Sequence, residues 1–256
     1  MSLLRKKCIC GAMDSSLIVA TADGSNTLYS TKYSQNFHSC KDGAINESLY
    51  KHIIPALNHH KNKENLRILD ICFGLGYNTF LTILQNKKST SPKKIEIISP
   101  ELDGNLIRSL KDFAYPSEFE PIKDIICEVS QNGFYEDDLL KITVFIQDAR
   151  DVVRNVKNID IVYQDAFSSD TNRELWSVEF FHDIKQAMNS DAILTTYSVA
   201  TPVRLSLFEN DFFIYENKSE FCRRGTLAFL KPQSIDNFVD MQLKKTRNPD
   251  AKPIYD

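Results

Sequence analysis

The sequence between residues 69 and 79 reads Leu69-Asp70-Ile71-Cys72-Phe73-Gly74-Leu75-Gly76-Tyr77-Asn78-Thr79. It follows an apolar run typical of a buried strand and opens a segment with helical spacing. Gly74 and Gly76 would let the main chain turn tightly and approach a ligand closely. The chain has only 8 glycines in 256 residues, so this pair is a notable concentration. The segment predicts a strand, loop and helix that bind a nucleotide-like cofactor, with an ordinary strand-to-helix turn as the alternative.

From residue 66 onward, apolar runs alternate with segments of helical spacing. Strands are predicted at 67–73, 95–99, 143–147, 159–164 and 192–198, and helices at 78–85, 106–113, 149–156, 174–188 and 202–208. Such alternation implies right-handed crossovers and a mainly parallel sheet covered on both faces. The last apolar runs, 212–215 and 226–230, have no helix between them and predict an antiparallel edge. The predicted fold class is α/β, and the antiparallel edge resembles the Rossmann-like methyltransferase architecture more than that of a dehydrogenase.

The first sixty residues differ in pattern from the rest. Two apolar segments, 16–22 and 27–33, flank a turn and predict a β-hairpin, and residues 43–57 have helical spacing. The predicted organisation is a small hairpin and helix extension over residues 1–62, a methyltransferase domain over 63–231 and a tail over 232–256. The tail is polar, and we expect it to pack loosely.

Three acidic residues follow predicted strands. In folds of this kind a carboxylate about 20 residues after the glycine loop binds the ribose hydroxyls, and Glu101 fits this role because we expect Pro100 to end its strand. Asp103 is better interpreted as a helix cap. Asp148 would bind an adenine amine, cap the next helix, or do both. Thr79 stands at the third glycine position and no arginine follows Glu101 closely, so S-adenosylmethionine is favoured over a dinucleotide.

Composition narrows the class of protein. The net charge of −3 excludes a globally basic nucleic-acid binder but leaves room for a local basic patch. None of the six cysteines has C-x-x-C spacing, and Cys8-x-Cys10 is too tight for a usual zinc knuckle, so we expect no metal. We predict a cytoplasmic protein without a membrane partner. The thiols are scattered, and the sequence shows neither a signal-like apolar run nor an apolar segment long enough to span a membrane.

Four blocks of sequence resemble one family. The glycine loop is similar to the Gly-Phe-Gly-x-Gly-x-Asn of the methyltransferase half of the bifunctional MnmC-type tRNA wobble-uridine modification enzymes. The other blocks are 160–168 with 172–176, then 195–204, then Arg223-Arg224, and the resemblance covers most of residues 17–230 in order. Cys72 stands where the family has its first glycine, Ala166 replaces another glycine, and residues 168–170 lack a usual proline. At this length we expect the chain to lack the family's FAD-dependent oxidase half.

The resemblance implies S-adenosylmethionine-dependent N-methylation of a 5-aminomethyl group on the wobble uridine of tRNA, giving 5-methylaminomethyl-(2-thio)uridine. The implied catalytic residue is Asp165. The implied cofactor-binding residues are Glu47, Phe73, Gly74, Gly76, Asn78, Glu101, Asp148, Ala149 and Asp165. The implied substrate-binding residues are His38, Phe167, Tyr197, Arg204, Arg223 and Arg224. The expected partner is the tRNA anticodon region, with a separate uridine-modifying complex or oxidase acting upstream; the oligomeric state stays open.

Several of these assignments have structural alternatives. Glu47 would close over the cofactor or belong to a solvated helix face, and Tyr197 is an aromatic strand residue of the kind usually found in a core. His38 would line the pocket or serve the fold alone. Two other functions also remain open at this point: a spermidine-synthase-like aminopropyltransferase, and a non-catalytic RNA-binding protein on a methyltransferase fold.

Overall fold

The computed structural model describes residues 17–256, so Cys8, Cys10 and the predicted first residue of the hairpin lie outside the described part. A small antiparallel sheet opens it, with strands β1 (Ile18–Ala20), β2 (Asn26–Ser30) and β3 (Gln35–Asn36). β1 and β2 form the predicted hairpin across the turn at residues 21–25. The third strand is a short addition that returns the chain toward the main sheet.

The main sheet has eight strands in the order β10-β11-β9-β8-β4-β5-β7-β6. Its strands are β4 (Asn65–Ile71), β5 (Lys94–Glu101), β6 (Phe134–Glu136), β7 (Leu140–Ile146), β8 (Ile159–Gln164), β9 (Met188–Thr196), β10 (Phe213–Asn217) and β11 (Gly225–Phe229). The five central strands from β9 to β7 are parallel, and the pairs β6–β7, β9–β11 and β10–β11 are antiparallel. The predicted α/β class and antiparallel C-terminal edge are therefore confirmed.

Helices cover both faces of this sheet. They are α1 (Ala44–Glu47), α2 (Ile54–His59), α3 (Tyr77–Lys88), α4 (Gly104–Ser109), α5 (Lys123–Asn132), α6 (Ala149–Asn155), α7 (Val178–Ala187), α8 (Thr201–Phe208) and α9 (Met241–Arg247). One apolar core contains residues of α2, α3 and α5, and the other contains residues of α6, α7 and α8. No helix among residues 17–256 is long and apolar enough to cross a membrane.

A π-helical segment, Ser48–Ile53, joins α1 to α2, so the predicted helix over 43–57 is continuous but not uniform. π-Helical turns are rare and occur often at functional sites. This composite helix packs against α3 and β9. It therefore fastens the N-terminal extension to the centre of the sheet.

Two expectations from the sequence are wrong. The tail does not pack loosely: Met241 and Ile254 are buried, and the backbone of Ile254 accepts a hydrogen bond from Val178 N (2.7 Å) and donates to Ser206 Oγ (2.8 Å). Two apolar side chains in a polar segment are enough to dock it. Pro100 also does not end its strand, because β5 continues to Glu101 in register with β7.

Candidate active site

The loops that follow the parallel strands enclose a cleft of about 290 Å³ at their carboxyl edge. Ligands of open α/β sheets bind at this edge. The lining residues used below come from the loops after β4, β5, β7 and β8 and from the N-terminal sheet: Tyr33, Phe37, Cys72, Gly74, Glu101, Asp148, Ala149, Asp165 and Phe167. Four separate strand ends thus converge on one site.

Every second residue of the glycine loop, from residue 72 to residue 76, has a left-handed backbone conformation. Cys72, Gly74 and Gly76 have φ values of 66°, 54° and 72°. A Cβ atom at Gly76 would lie 2.5 Å from the Phe80 ring and 2.7 Å from the Phe73 ring, so no other residue fits there. The loop therefore needs Gly76 for space as well as for conformation, whereas Cys72 adopts a conformation that favours glycine.

The acid predicted for the ribose lies in the cleft. Glu101 ends β5, and its carboxylate accepts hydrogen bonds from Gly74 N (3.0 Å) and Asp103 N (2.9 Å). Burial raises the pKa of Glu101, although these two donors oppose the shift. Asp103 caps α4, as expected, through Asn105 N and Leu106 N. Glu101 thus joins the glycine loop to the end of the second strand.

Asp148 caps α6 by accepting from Arg150 N (2.8 Å) and also lines the cleft. The neighbouring Ala149 is buried at the first position of that helix. The cleft therefore presents the carboxylates of Glu101, Asp148 and Asp165 together with aromatic rings. This donor set fits a cofactor that carries hydroxyls, an adenine amine and a positively charged sulfur, so the residues present suit S-adenosylmethionine.

Asp165 follows β8 and lies where the cleft meets a second pocket of about 400 Å³. Its Oδ2 accepts from Asn78 Nδ2 (2.8 Å), and its Oδ1 lies 3.6 Å from His52 Nε2. Burial acts to raise the pKa of Asp165, but the interactions with His52, His38 and Asn78 outweigh it and lower the pKa. The carboxyl group is therefore kept ionised at the junction of the two pockets.

Aromatic rings separate the two pockets. Phe167 packs against Tyr33 and Phe37, with ring centroids 4.7 and 5.0 Å apart. Trp176 is fully buried and donates from Nε1 to the Phe167 carbonyl oxygen (2.7 Å), which fixes this part of the loop. Phe167 and Phe37 line both pockets, so they form an apolar wall between them.

Besides Asp165 and Phe167, four predicted residues line the second pocket, namely His38, Glu47, Tyr197 and Arg223. Burial lowers the pKa of His38, which favours a neutral ring. Tyr197 donates from its hydroxyl to the Ala166 carbonyl oxygen (3.0 Å) while exposing part of its ring. Arg223 pairs with Asp42 (3.1 Å) and keeps an exposed side chain at the pocket edge.

Glu47 is buried, so the solvated helix face is the wrong interpretation of this residue. It lines the second pocket and not the cofactor cleft, accepts from Ser39 N (2.8 Å) and pairs with buried Lys51 (2.6 Å). Lys51 also pairs with Asp42 (2.9 Å). Burial opposes these charges, but their mutual contacts outweigh it, raising the pKa of Lys51 and lowering that of Asp42. A buried cation thus shares two carboxylates beside the site.

Three predicted cofactor residues, Phe73, Gly76 and Asn78, lie behind the cleft surface and shape the loop and Asp165. Arg204 requires a correction as a phosphate-binding candidate. It is 3% exposed, and its guanidinium donates to Thr226 Oγ1 (2.9 Å) and the Gly225 carbonyl oxygen (3.3 Å). Its donors serve the β9–β11 edge and do not face solvent.

Sequence reasoning missed several residues of the site. Tyr33, Phe37, Asp42, Lys51 and His52 all belong to the N-terminal extension, where no recognisable spacing pointed to them. Asp70, inside the strand before the glycine loop, was also passed over. The signal available in the sequence was an acid within an apolar strand, because such an acid is expected to be buried and to need partners.

This fold and site define an S-adenosylmethionine-dependent methyltransferase. A family model described as S-adenosyl-L-methionine-dependent methyltransferase matches residues 122–231. The crystal structure of MnmC2 from Aquifex aeolicus is 33% identical, with a TM-score of 0.82, and the match covers 93% of this chain and 78% of that one. On this likeness the chain belongs to the MnmC-type methyltransferase family.

Two curated relatives extend the comparison. An uncharacterized protein of Methanocaldococcus jannaschii is 31% identical over 229 residues, which is 88% of this chain and 62% of that protein. The bifunctional protein MnmC of Campylobacter jejuni strain 81116, described as acting in tRNA 5-methylaminomethyl-2-thiouridine biosynthesis, is 26% identical over 80% of this chain and 35% of its own length. The chain therefore spans less than two thirds of either relative. Neither the aminopropyltransferase nor the non-catalytic alternative is favoured by these matches.

Proposed function

We propose that the protein transfers a methyl group from S-adenosylmethionine to the amine of a 5-aminomethyl group on the wobble uridine of tRNA, giving 5-methylaminomethyl-(2-thio)uridine. The observation that carries the proposal is the position of Asp165, an ionised carboxylate shared by the cofactor cleft and the second pocket. The likeness to MnmC2, and to proteins described as acting in 5-methylaminomethyl-2-thiouridine biosynthesis, supports this choice of acceptor.

S-adenosylmethionine supplies an electrophilic methyl group when it is bound. Glu101 and Asp148 would hold its ribose and adenine ends, and the Gly74 backbone would leave room for it. An alkylamine has a pKa of about 10, so the acceptor arrives as an ammonium and must lose a proton before it attacks. The proton of the ammonium passes to solvent, and Asp165, which stays ionised, orients the neutral amine toward the cleft and stabilises the positive charge that forms on its nitrogen during transfer. Fixing donor and acceptor in line supplies much of the rate.

The second pocket suits the acceptor because it combines carboxylates, which attract an amine, with aromatic walls, which suit a pyrimidine ring. Glu47 and Asp165 attract the ammonium, and the neutral ring of His38 does not repel it. Phe37 and Phe167 exclude water from the path between the pockets, which strengthens the electrostatic interactions inside. The pyrimidine ring would pack against Phe167 or Tyr197.

The tRNA would dock at the open edge of the second pocket. Arg223 and Arg224 have side chains that are 67% and 64% exposed, and a guanidinium pairs well with phosphate oxygens. Both also contact carboxylates, Asp42 and Glu216, so phosphate binding there is a competition between anions. With a net charge of −3, the protein would bind tRNA locally and with strong salt dependence. We expect an upstream uridine-modifying complex or oxidase to supply the substrate.

The experiment compares methylation by the wild-type protein and by Asp165→Asn. Each is incubated with tRNA that carries the unmethylated amine, and the methylated nucleoside is measured by mass spectrometry. We expect a loss of about 10²–10³-fold, the usual cost of removing one group that stabilises charge in the transition state, with cofactor binding by calorimetry largely unchanged. Asp151→Asn is the matched control, because this α6 carboxylate is 72% exposed. Activity of Asp165→Asn equal to that of the control would remove Asp165 from the mechanism. Absence of any binding heat with wild-type protein would refute the cofactor assignment.

A further inference from the structure

The π-helical segment Ser48–Ile53 brings two neighbouring ionisable residues into the interior. Lys51 is 2% exposed and His52 is 0% exposed. Consecutive residues of a regular helix point about 100° apart, so one of two neighbours usually faces outward. Here Lys51 meets the carboxylates of Asp42 and Glu47, while His52 reaches the main sheet. The charge of Lys51 is paired with two carboxylates. The hydrogen bonding of His52 is incomplete, because only one of its two ring nitrogens lies within hydrogen-bond distance of a partner.

The two ring nitrogens of His52 have different surroundings. Nδ1 lies 2.9 Å from Thr195 Oγ1 on β9, within hydrogen-bond distance. Nε2 is buried, has no hydrogen-bond partner among residues 17–256 and faces Asp165 Oδ1 at 3.6 Å. The Tyr163 ring packs edge-on against the imidazole at 5.8 Å, which restricts its rotation. A small movement of Asp165 would complete the bond, since charge-assisted bonds of this type are about 2.7–2.9 Å long.

The position of the ring proton follows from these neighbours. If Thr195 donates to Nδ1, the proton of a neutral ring lies on Nε2. If Thr195 instead donates to the Val162 carbonyl oxygen, 3.4 Å away, Nδ1 is the donor to Thr195 and Nε2 is either protonated or bare. A bare Nε2 would be a buried acceptor facing a carboxylate, which is costly. Both favourable arrangements therefore place a proton on Nε2.

We propose that His52 is a positioning residue whose Nε2–H holds Oδ1 of Asp165, while Asn78 holds Oδ2. The carboxylate is then gripped from both sides in one orientation between the two pockets. What Asp165 does in that orientation rests on the proposed function; the pairing itself does not. His52 touches neither cleft directly, so it acts only through Asp165.

Other titratable groups surround this pair and bear on its pH dependence. His38 and Glu47 lie on the N-terminal side, Asp70 on β4 and Tyr163 on β8. Burial raises the pKa of Asp70 to about 8 and raises that of Tyr163 further, so both are neutral at pH 7. Near neutral pH the charge that faces His52 is therefore that of Asp165, with Glu47 paired to its own lysine.

Two conservative variants separate positioning from packing. His52→Gln places an amide donor where Nε2 lies, whereas His52→Asn places one where Nδ1 lies and leaves Asp165 Oδ1 unsupported. Loss of a hydrogen bond to a charged group corresponds to about 10–100-fold in rate, so we expect that fall in kcat for His52→Asn. His52→Gln should stay within about threefold of wild type, and the KM for S-adenosylmethionine should be similar in both. Equal losses in the two variants would overturn the proposal.

A second measurement uses the wild-type chain and needs no activity. Long-range ¹H–¹⁵N NMR spectra report which nitrogen of a histidine ring carries the proton, and His52→Gln identifies the His52 signals among the five histidines. We expect Nε2 to carry a proton, and Asp165→Asn to shift its resonance. A neutral ring protonated on Nδ1 alone would overturn the pairing. Failure of the wild-type protein to methylate tRNA would instead refute the proposed function and leave this result standing.

Discussion

Asp70 offers a direct test of the electrostatics under the glycine loop. Its side chain is fully buried in β4, where Oδ2 accepts from Thr79 Oγ1 (2.8 Å) and Oδ1 lies 3.5 Å from Asn78 Nδ2. Burial raises its pKa from 3.8 to about 8, and the hydrogen bonds from Thr79 and Asn78 do not offset that effect. The folded protein therefore carries a neutral carboxyl group here at pH 7, whereas the unfolded chain carries a carboxylate.

The sign of the pH effect follows from this difference. A group whose pKa is raised by folding contributes stability that is fully present below pH 4 and is lost as the pH rises toward 8. Each unit of that interval is worth about 1.4 kcal/mol, so between pH 5 and pH 8 Asp70 removes about 4 kcal/mol from the free energy of unfolding. Asp70→Asn has no titrating group and should lack this loss.

The assay is urea unfolding of wild type and Asp70→Asn at several pH values between about 5 and 8, since linear extrapolation gives a free energy at each. The variant should gain on wild type by about 1.4 kcal/mol per pH unit, whatever its starting stability. Asp165→Asn is the control, because folding lowers the pKa of Asp165 and its effect appears only at more acidic pH. A constant difference between Asp70→Asn and wild type across this range would show that Asp70 is ionised in the folded protein.

Three further outcomes test other parts of the structure. Cys72→Gly should unfold at higher temperature than Cys72→Ala by the equivalent of about 1 kcal/mol, since only glycine accepts a φ of 66° without strain. Arg204→Ala should lower the melting temperature and leave the salt slope of tRNA binding unchanged, whereas Arg224→Ala should lower that slope by about one and leave melting unchanged. Lys51→Met should cost about 3–5 kcal/mol in chemical unfolding, because buried Glu47 loses its cation and Asp42 keeps only Arg223. The opposite order of melting temperatures or of salt slopes within a pair of variants would contradict the corresponding contact. So would an unchanged free energy of unfolding for Lys51→Met.

The sheet was predictable because its signals are local and repeated. Each central strand is an apolar run followed by a helical pattern, so a mainly parallel sheet with an antiparallel C-terminal edge followed from the sequence, whereas the order of its strands did not. β6 and α5 were missed, since Phe134–Glu136 is too short to show alternation and α5 follows a loop in which Pro116 and Pro121 suggest irregular structure. The tail was misjudged for a related reason: two apolar residues do not form a periodic pattern.

From residue patterns alone, the site was predictable where residues follow strands, whereas His38, Glu47 and Arg223 came from the family resemblance. Glu101, Asp148 and Asp165 were found because parallel strands end at one edge, and the cleft brings all three together. Arg204 failed because sequence does not distinguish a guanidinium that serves the surface from one that pairs with Thr226 inside. Whether the predicted residues bind cofactor and tRNA as assigned stays a prediction, to be tested by the variants above.

The N-terminal extension explains why the remaining site residues escaped the sequence argument. A helix that buries Lys51 and His52 side by side has no regular apolar stripe at that point, because its winding changes there. The polar residues are tolerated only because Asp42, Glu47 and Thr195 meet them across large sequence separations or around an irregular turn. Such a segment costs stability that a uniform apolar helix would not, and its buried His52 faces Asp165. We therefore expect the extension to be part of the catalytic unit. Substitutions at His52 should lower the rate of methylation while the main sheet stays folded.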